Sequence, residues 1–548
     1  MKGRKYSILV MLLLGVSFLV GLYFYIEYPH LIYERLGCNT PLDHVIGGTA
    51  IFLVLLLTWK EMGWLIPTVV ILFLLYAYFG YIFPDPFYHA GLSLTRIIQI
   101  SAVGIDGIFG GITQIGATWV AIFVIYAGLI QGFGGLSYIF NISRLITQKF
   151  KYGIPQIAVI ASMFFGSLSG SSSANVAATG SFTIPLMKRS GLPSHIAGAI
   201  ESVASTGGQL MPPIMGASIF LMCDFLSKPY MGIMTAMLPS ALLFYICIAI
   251  TVYLIARRHL NTSPQAPMEQ GLSRGYFLAG IPIAFSVGVL IFTLVHYQVS
   301  ILLGGFYAII SFLAAQLIYE LSCSKGRLLG IQRFGESLLQ GMRNGALSMA
   351  PLGVMLASMG IIVKIITATG LSMEFSFLMV DLAQGQLVPL LLLVMLVSLV
   401  LGMATSSTVA TYLLVVLLAA PALVTFGIEP LVSHLVVFYF AISAAITPPV
   451  AAVVVIASSI AQASFLRTCW EAIKIGIPLF LLPFAFIVRP ELLAADYTTP
   501  LAAFAILLGL VGIVYGIHAP LQEIKGKLLR GACVVLGAAA LFCPVNVV

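Results

Sequence analysis

Long apolar runs separated by short polar segments recur from one end of the chain to the other. About 20 apolar residues in a helix cross the hydrocarbon core of a bilayer, which is about 30 Å thick. The runs predict helices near 6–26, 43–58, 63–83, 117–131, 231–256, 276–296, 299–320, 346–368, 476–488, 499–517 and 528–546. The longest plainly polar stretch, 257–275, is too short to fold as a separate domain. The pattern is typical of an all-α polytopic membrane protein.

Composition and charge agree with this fold class. Hydrophobic residues make up 60% of the 548 residues and charged residues only 8%, against about 25% charged in soluble domains. The net charge of +8 would favour nucleic acid in a soluble protein, but in a membrane protein basic residues collect in the loops that stay inside. With the amino terminus inside, the basic loop residues that fall outside are Arg35, Arg96, Lys228 and Arg489. We therefore expect an amino terminus on the inner side and no nucleic-acid partner.

The chain matches itself without gaps when Gly166 is placed on Gly402. The same shift pairs further identical residues: Ser171 with Ser407, Ala174 with Ala410, Pro185 with Pro421, Gly191 with Gly427, Pro212 with Pro448 and Pro213 with Pro449. Small residues and prolines are common in membrane helices, but chance does not readily place a proline pair on a gapless diagonal. Three predicted spanning helices separate the two copies, near 117–222 and 353–458, and an odd number turns the second copy upside down. Inverted repeats of this kind underlie many secondary transporters.

A cluster of serines interrupts an apolar stretch in the sequence FFGSLSGSSSANVAATGSFTIPL, from Phe164 to Leu186. Basic residues flank the stretch 156–186 on both sides, and its arms, 156–165 and 176–185, have about ten residues each, half of a crossing. We therefore expect a re-entrant helical hairpin that enters from the inside and turns at the serines. The second copy, 387–422 with the tip GMATSSTVAT, is expected to enter from the outside. Close packing of small residues is the alternative interpretation, but arms this short would not span the membrane.

Each copy then carries a helix interrupted by two prolines, STGGQLMPPIMG from Ser205 and SAAITPPVAAV from Ser443. A proline lacks the N–H that bonds the carbonyl four residues back. We therefore expect helix breaks at Pro212, Pro213, Pro448 and Pro449, with unpaired carbonyls at Gly208, Gln209, Ala444 and Ala445. Such carbonyls and nearby hydroxyls suit Na⁺, while half-helices that start at the prolines present N–H groups that suit a carboxylate. The pattern favours cation-coupled transport of a carboxylate.

Three stretches of the chain resemble the large membrane subunit of tripartite ATP-independent periplasmic (TRAP) transporters. They are GSSSANVAATGSFTIPLMKRSG (170–191), AGAIESVASTGGQLMPPIMGAS (197–218) and ITPPVA (446–451). The chain is most similar to the fused permeases that work with TAXI-type binding proteins, over roughly residues 100–490. The resemblance implies an inverted-repeat elevator-type transporter of a bacterial or archaeal inner membrane, driven by Na⁺ or in some members H⁺, with no other cofactor. It also implies a soluble periplasmic TAXI-type binding protein that delivers an organic anion.

The same resemblance implies domains and site residues. Residues 1–95 correspond to a fused small membrane subunit, although the pattern predicts only three helices there. Residues 96–495 correspond to the large subunit, and residues 496–548 form an added C-terminal helical pair. The first cation site would use Gly166, Ser169, Ser171, Ser172, Asn175, Thr206, Gly208 and Gln209. The second would use Gly402, Thr405, Ser407, Thr408, Ala444, Ala445 and Thr447. The organic anion would lie between the tips, near Ser173, Asn175, Ser407 and Thr411.

Glu201 lies in a predicted helix, 196–210, shortly before the first break. An ionisable residue inside a membrane segment is a functional candidate by default. Two interpretations stay open. Glu201 carries a proton, or it is a structural acid that pairs with a hydroxyl or with Lys188 or Arg189.

Other functions fit the residues less well. An intramembrane serine hydrolase predicts a Ser–His pair and a single site, whereas the serine-rich tip is duplicated and lacks G-x-S-G. We therefore expect no enzymatic activity. A channel is disfavoured because hairpins that enter from opposite faces suit alternating access. A related dicarboxylate/Na⁺ symporter that needs no binding protein remains an alternative.

Overall fold

A computed structural model describes residues 2–542 of the chain, except 36, 149, 151, 261–273, 298, 324–325, 495 and 520–523. Every regular element in this part of the chain is helical, which confirms the all-α prediction. Among the described residues, 12 helices are long and apolar enough to cross a bilayer, so the chain is a multi-pass membrane protein. Lys149 and Lys151, which flank the first predicted hairpin, and most of the polar stretch 257–275 lie outside the described residues.

The helices are numbered here in chain order. The first twelve are α1 (Lys2–Pro29), α2 (Pro41–Met62), α3 (Leu65–Phe79), α4 (Leu94–Ile98), α5 (Gly111–Ile115), α6 (Ala121–Gly132), α7 (Gly135–Thr147), α8 (Gly153–Ser169), α9 (Ser172–Arg189), α10 (Ser194–Gly207), α11 (Ser218–Leu226) and α12 (Tyr230–His259). They are followed by α13 (Arg274–Val295), α14 (Ile301–Cys323), α15 (Arg327–Thr369), α16 (Leu371–Leu382), α17 (Leu387–Thr405), α18 (Thr408–Thr425), α19 (Pro430–Ser443), α20 (Ala452–Ala461), α21 (Phe465–Ile475), α22 (Ile477–Val488), α23 (Thr499–His518) and α24 (Ile524–Phe542).

The chain divides into two compact units. The first comprises Met1–Thr118, Met349–Leu393 and Leu413–Phe426, and the second comprises Trp119–Ser348, Val394–Tyr412 and Gly427–Val548. Helices α15, α17 and α18 each begin in one unit and end in the other.

Polar side chains tie the helices of the first unit together. Thr40 caps α2, because its Oγ1 accepts a hydrogen bond from the Asp43 N–H at 3.2 Å while the Asp43 carboxylate accepts one from the Thr40 N–H at 2.7 Å. Tyr23 of α1 donates to the same carboxylate at 2.5 Å. Elsewhere in this unit Lys364 of α15 forms an ion pair with Asp106 at 2.6 Å.

Helix α10 lies in the core of the second unit. Every residue from Ile196 to Gly207 is buried, and the helix packs against α8, α9, α20 and α21. Its many glycine, alanine and serine residues allow neighbouring helices to approach closely. A helix that is buried on all sides must pair its polar side chains internally, which applies here to Glu201.

The helices recur at the spacing at which the sequence matches itself. The shift that places Gly166 on Gly402 also places the bounds of α9 on those of α18, the bounds of α10 on those of α19, and the 3₁₀ turn Gly208–Leu210 on the turn Ala444–Ile446. Residues with positive φ follow the same shift: Gly134 with Gly370, Gly170 with Ser406, Gly191 with Gly427, and Met215 with Ala451. The backbone therefore repeats even where the residue types differ.

The predicted arm lengths are wrong. The arms of the first hairpin, α8 and α9, have 17 and 18 residues rather than about ten, and those of the second, α17 and α18, have 19 and 18. Helices α17 and α18 are among the 12 that are long and apolar enough to cross a bilayer, so arm length does not support the re-entrant prediction. The serines before the turn lie within α8, and Ser167 donates to the Phe164 carbonyl at 2.9 Å.

The other wrong length concerns the helix predicted at 346–368, which is the second half of α15, a helix of 43 residues. Its first half carries charged residues and so forms no apolar run. The last predicted helix, 528–546, extends beyond the described residues at its C-terminal end.

Candidate functional site

The first hairpin turns over two residues between α8 and α9. Gly170 has a φ of +63°, a left-handed conformation that glycine adopts without a steric penalty. A Cβ at this position would lie 2.3 Å from the Met215 carbonyl oxygen, so the close approach of two backbone segments also requires glycine. Ser171 then caps α9, since its hydroxyl accepts a hydrogen bond from the Ala174 N–H at 3.3 Å. The tip therefore presents the N-terminal, electropositive end of a helix.

The second hairpin turns in the same way between α17 and α18. Ser406 takes the left-handed position with a φ of +52°. The hydroxyls of Thr405 and Thr411 lie 2.8 Å apart, and the Thr411 hydroxyl donates to the Ser407 carbonyl at 2.7 Å. Hydroxyl groups on both sides of the turn are therefore held against one another and against the backbone.

Three of the four carbonyls that were predicted to be unpaired before the prolines are bonded. The Gly208 oxygen accepts from the Met211 N–H at 3.3 Å, the Gln209 oxygen accepts from the Gly216 N–H at 2.9 Å, and the Ala444 oxygen accepts from the Thr447 N–H at 3.2 Å. The chain turns after each 3₁₀ segment, so that later N–H groups reach these oxygens. A carbonyl oxygen has two lone pairs, however, and each can accept a second partner.

The half-helices after the breaks also start later than predicted. They begin at Ser218 in α11 and at Ala452 in α20, rather than at the proline pairs. Both proline pairs, Pro212–Pro213 and Pro448–Pro449, have a cis peptide bond. In the first copy the segment after the prolines is tied to the end of α8, because the Ile214 N–H donates to the Ser167 carbonyl at 3.1 Å.

Each hairpin crosses its broken helix at a glycine. A Cβ on Gly166 would lie 2.4 Å from the Gly208 Cα, and a Cβ on Gly402 would lie 2.3 Å from the Ala444 Cβ. In the first copy Asn175 fastens this crossing, since its Nδ2 donates to the Ser162 carbonyl at 2.8 Å and to the Ser205 carbonyl at 3.3 Å. The structure thus places Asn175 inside the crossing, fully buried.

The two tips meet at one side chain. The Nε2 atom of Gln209 donates to the Ser172 hydroxyl at 2.8 Å and to the Thr408 hydroxyl at 3.2 Å. Ser172 and Thr408 are the first residues of α9 and α18. A single amide from the first broken helix therefore joins the starts of the returning arms of both hairpins, at equivalent positions of the two copies.

The remaining predicted ligands differ in their hydrogen bonds and burial. The hydroxyls of Thr206 and Thr447 each donate to the carbonyl four residues back, those of Ser202 and Ser443, at 2.7 and 2.8 Å. Near the tips, Ser173, Ser407 and Ala445 are half-buried. In the described part of the chain, the Ser169 hydroxyl is buried and has no hydrogen-bond partner. An unpaired buried oxygen is unfavourable, and it is the kind of group that a bound cation would satisfy.

Glu201 is surrounded by hydroxyl groups that the sequence pattern did not single out. Its Oε1 accepts from Ser162 at 2.8 Å, Thr179 at 2.5 Å and Ser205 at 3.0 Å, and its Oε2 accepts from Thr183 at 2.5 Å. Lys188, one of the predicted partners, instead donates to the Ala461 carbonyl at 2.7 Å. The signal that could have revealed the cluster is the spacing of Thr179 with Thr183 and of Glu201 with Ser205, because residues four apart share a helix face.

The site as a whole offers neutral oxygens and helix N-termini. Hydroxyl and carbonyl oxygens are the ligands that hard cations prefer, and N–H groups at helix starts favour an anion. Neither tip, 166–175 or 402–411, carries a charged side chain.

Comparisons with known proteins place the chain among transporter subunits. A family described as "Tripartite ATP-independent periplasmic transporter, DctM component" matches residues 49–492. The chain is 25% identical over 378 residues to a putative TRAP transporter large permease protein of Haemophilus influenzae, a match that covers 68% of this chain and 84% of that protein.

Two further relatives match shorter stretches. The C4-dicarboxylate TRAP transporter large permease protein DctM of Pseudomonas aeruginosa is 30% identical over 153 residues, 28% of this chain and 35% of that protein. The sialic acid TRAP transporter permease protein SiaT of Haemophilus influenzae is 24% identical over 151 residues, 27% of this chain and 24% of that protein. For these two relatives the match spans well under two thirds of their length.

Proposed function

The chain belongs to the family of DctM components of tripartite ATP-independent periplasmic transporters, and from this premise we propose that it imports an organic anion by cation symport. In this role it is the large permease of a system that includes a soluble periplasmic binding protein. The cation is Na⁺ or H⁺, and the anion is a carboxylate. The protein lies in the inner membrane of a bacterium or archaeon, with its amino terminus inside.

The observation that carries this proposal is the bridge through Gln209. One amide holds Ser172 and Thr408 within 2.8 and 3.2 Å of a common atom, so the starts of α9 and α18 converge. Two helix starts that converge supply N–H groups and positive dipole ends to one place. A carboxylate bound there is contacted by both copies of the repeat, near Ser173 and Ser407.

The hydroxyls and carbonyls beside the tips supply cation sites. In the first copy the unpartnered Ser169 hydroxyl lies next to a turn whose carbonyls can each take a second partner. In the second copy the paired hydroxyls of Thr405 and Thr411 supply the equivalent oxygens. A cation at either place screens the negative charge of the anion, which couples the binding of the two.

An elevator movement, in which a body that carries the hairpins slides past a fixed scaffold, is the form of alternating access that we propose. The partner is a TAXI-type binding protein that selects the anion, because the site itself offers hydroxyls and backbone groups without an arginine or lysine at the tips. Residues 1–95 act as a fused small subunit, 96–495 as the transport domain and 496–548 as an added helical pair.

Uptake into proteoliposomes tests the proposal. The purified chain is reconstituted with and without the binding protein encoded beside it, and uptake of radiolabelled succinate and of a panel of other labelled organic acids is measured. Inward gradients of Na⁺ and of H⁺ are imposed separately. We expect uptake that requires the binding protein and increases with at least one of the two gradients.

Two results would contradict parts of this proposal. Uptake that responds to neither gradient would exclude cation symport. Uptake that is equally fast without the binding protein would favour a binding-protein-independent dicarboxylate/Na⁺ symporter, the alternative left by the sequence.

A further inference from the structure

The carboxyl group of Glu201 is fully buried and is held by hydroxyls from three helices. Ser162 belongs to α8, Thr179 and Thr183 belong to α9, and Ser205 lies one turn after Glu201 on α10. All four hydroxyls lie 2.5 to 3.0 Å from a carboxyl oxygen. Here these five residues are called the Glu201 cluster.

The elements packed around Glu201 bring no positive partner to it. Helices α8 and α20 have no charged side chain. On α9, Lys188 donates to the Ala461 carbonyl and Arg189 is exposed, and on α12 the Tyr245 hydroxyl donates to the Ala204 carbonyl at 3.0 Å. The ionisable residues of α21 are Arg467, Cys469, Glu471 and Lys474, and of these Lys474 pairs with Glu471 at 2.8 Å. Among the described residues no lysine, arginine or histidine forms an ion pair with Glu201.

A buried carboxylate without a cation is unfavourable, and one that carries a proton avoids the penalty. The hydroxyls of the Glu201 cluster can form hydrogen bonds with the Glu201 carboxyl group both when it is ionised and when it is protonated. Each hydroxyl has one hydrogen, and two of the four also have a helix carbonyl oxygen close by that can accept it. Thr179 lies 2.8 Å from the Asn175 carbonyl, and Thr183 lies 3.1 Å from the Thr179 carbonyl.

These alternative acceptors define what happens when a proton binds. In the ionised state the hydroxyls point their hydrogens at the carboxylate. When a proton from water joins a carboxyl oxygen, the new O–H donates to a hydroxyl oxygen, and Thr179 or Thr183 turns its own hydrogen to the helix carbonyl. Loss of the proton to water reverses these rotations, and neither state leaves a polar group unpaired.

The second copy of the repeat lacks four of these five residues. The positions equivalent to Glu201, Thr179, Thr183 and Ser205 are Val437, Val415, Ala419 and Ala441, and all four are buried. Only the equivalent of Ser162, which is Ser398, keeps a hydroxyl, and it donates to the Val394 carbonyl in its own helix. A repeat that keeps its fold without the set does not need the set for folding.

The cluster is linked to the tip of the first hairpin through two backbone oxygens. The carbonyls of Ser162 and Ser205 accept from Asn175, while the hydroxyls of the same two residues bond Glu201. A change in charge at Glu201 therefore acts on the residues that hold Asn175 at the crossing of the arm and the broken helix.

We propose that the Glu201 cluster is the binding site of a coupling proton, one for each chain, an inference that rests on the transport function proposed above. The first copy of the repeat then holds the protonatable site, and the second copy contributes hydroxyl and carbonyl oxygens only.

Infrared difference spectroscopy tests proton binding without a transport substrate. The full chain in lipid nanodiscs is stepped between alkaline and acidic buffer in H₂O and D₂O. We expect a carbonyl-stretch band of a protonated carboxylic acid that grows on acidification, shifts in D₂O and is lost in Glu201→Gln. A matched pair of variants sharpens the assignment: Ser162→Ala shifts the frequency of the band, and Ser398→Ala leaves it in place. An unchanged band in Glu201→Gln, or a band that does not respond to pH, would refute the proposal.

Uptake of radiolabelled succinate, or of whichever labelled acid the panel identifies, separates this inference from the proposed function. We expect uptake by the native chain to rise with an inward proton gradient and uptake by Glu201→Gln to lose that rise. Size-exclusion chromatography and Ser398→Ala control for folding. Uptake driven by Na⁺ alone, with the same gradient response in Glu201→Gln, would reject the proton site and keep the transport function. If the native chain takes up no labelled acid while the infrared band behaves as expected, the transport function fails and the proton-binding site remains.

Discussion

The first and second copies of the repeat fold alike but hold different groups at equivalent buried positions. Helices α10 and α19 have the same length and end in the same 3₁₀ turn. Glu201 in the first is Val437 in the second, and Gln209 in the first is Ala445 in the second. The comparison separates two kinds of residue. The proline pairs, several glycines and the helix bounds recur because both copies have the same backbone, whereas Glu201 and Gln209 occur in the first copy alone, where we propose functional roles for them.

The largest expected effect comes from giving the second copy the acid of the first. Val437→Glu places a carboxylate at a fully buried position, where three of the four residues equivalent to the Glu201 hydroxyls are valine or alanine and the fourth, Ser398, donates to the Val394 carbonyl in its own helix. An uncompensated buried charge costs about 3–5 kcal/mol. We expect a large fall in the thermal unfolding midpoint in detergent, greatest at alkaline pH, where the carboxyl is ionised. Val437→Gln is the control, because glutamine has nearly the same size as glutamate but no charge. If Val437→Glu is as stable as the native chain, the proposed difference between the two copies is contradicted.

A smaller effect is expected at the crossing that both copies share. Gly166→Ala adds a methyl group 2.4 Å from the Gly208 Cα and 2.7 Å from the Asn175 Nδ2. Overpacking of this kind costs about 1–3 kcal/mol, because the backbone on both sides has to move. Thermal unfolding measures the loss. Gly353→Ala in α15 is the control, since no atom lies within 4 Å of the added methyl there, and a similar loss in both variants would exclude a specific crossing.

The bridge through Gln209 is tested by converting it to its counterpart in the second copy. Gln209→Ala removes both hydrogen bonds that join Ser172 and Thr408 to one amide. Each such bond contributes about 0.5–1.5 kcal/mol, so we expect the uptake rate to fall about tenfold. Gln156→Ala is the control, because it removes a different glutamine hydrogen bond, to the Ala249 carbonyl at 2.8 Å. Uptake that falls equally in both variants would show that the bridge has no special role.

The smallest effect is expected from exchanging Asn175 for its counterpart, threonine. Asn175→Thr loses the bonds to the Ser162 and Ser205 carbonyls but keeps a hydroxyl of the kind that Thr411 uses in the second copy. Each lost bond contributes about 0.5–1.5 kcal/mol and the hydroxyl replaces one of the two, so the net loss in unfolding free energy should be about 0.5–1.5 kcal/mol. If the variant is as stable as the native chain, the hydrogen bonds of Asn175 do not contribute to the stability of the crossing.

Much of the fold could be predicted from the sequence because it depends on local patterns. Apolar runs predicted most of the spanning helices, and the proline pairs predicted the two breaks. The match of the stretch 166–213 with 402–449 predicted that elements would recur, and the turns at Gly170 and Ser406 lie within the predicted tips. These features depend on residues that are neighbours in the chain, or on a repetition of such residues, so the sequence alone is enough to predict them.

The rest depends on contacts that no local pattern encodes. The arm lengths were wrong because the polar residues near the tip do not end the helices, and because α8 begins before and α9 ends after the predicted bounds at the opposite ends of the arms. The carbonyls before the prolines were predicted to be unpaired, but the N–H groups of Met211 and Gly216 reach two of them after the chain turns. The hydrogen bond between Gln209 and Thr408 joins residues 199 positions apart, and the sequence around either residue does not predict this pairing.

The equal bounds of α9 and α18, and of α10 and α19, also say which kinds of genetic change this protein tolerates. Between the two copies most letters differ, yet from the start of the returning arm to the end of the 3₁₀ turn no residue has been gained or lost. One inserted residue would rotate every later side chain of its helix by about 100° and move Asn175 or the bridging amide of Gln209 away from its partners. Libraries of substitutions in these segments should therefore yield many functional clones, and libraries of single insertions very few.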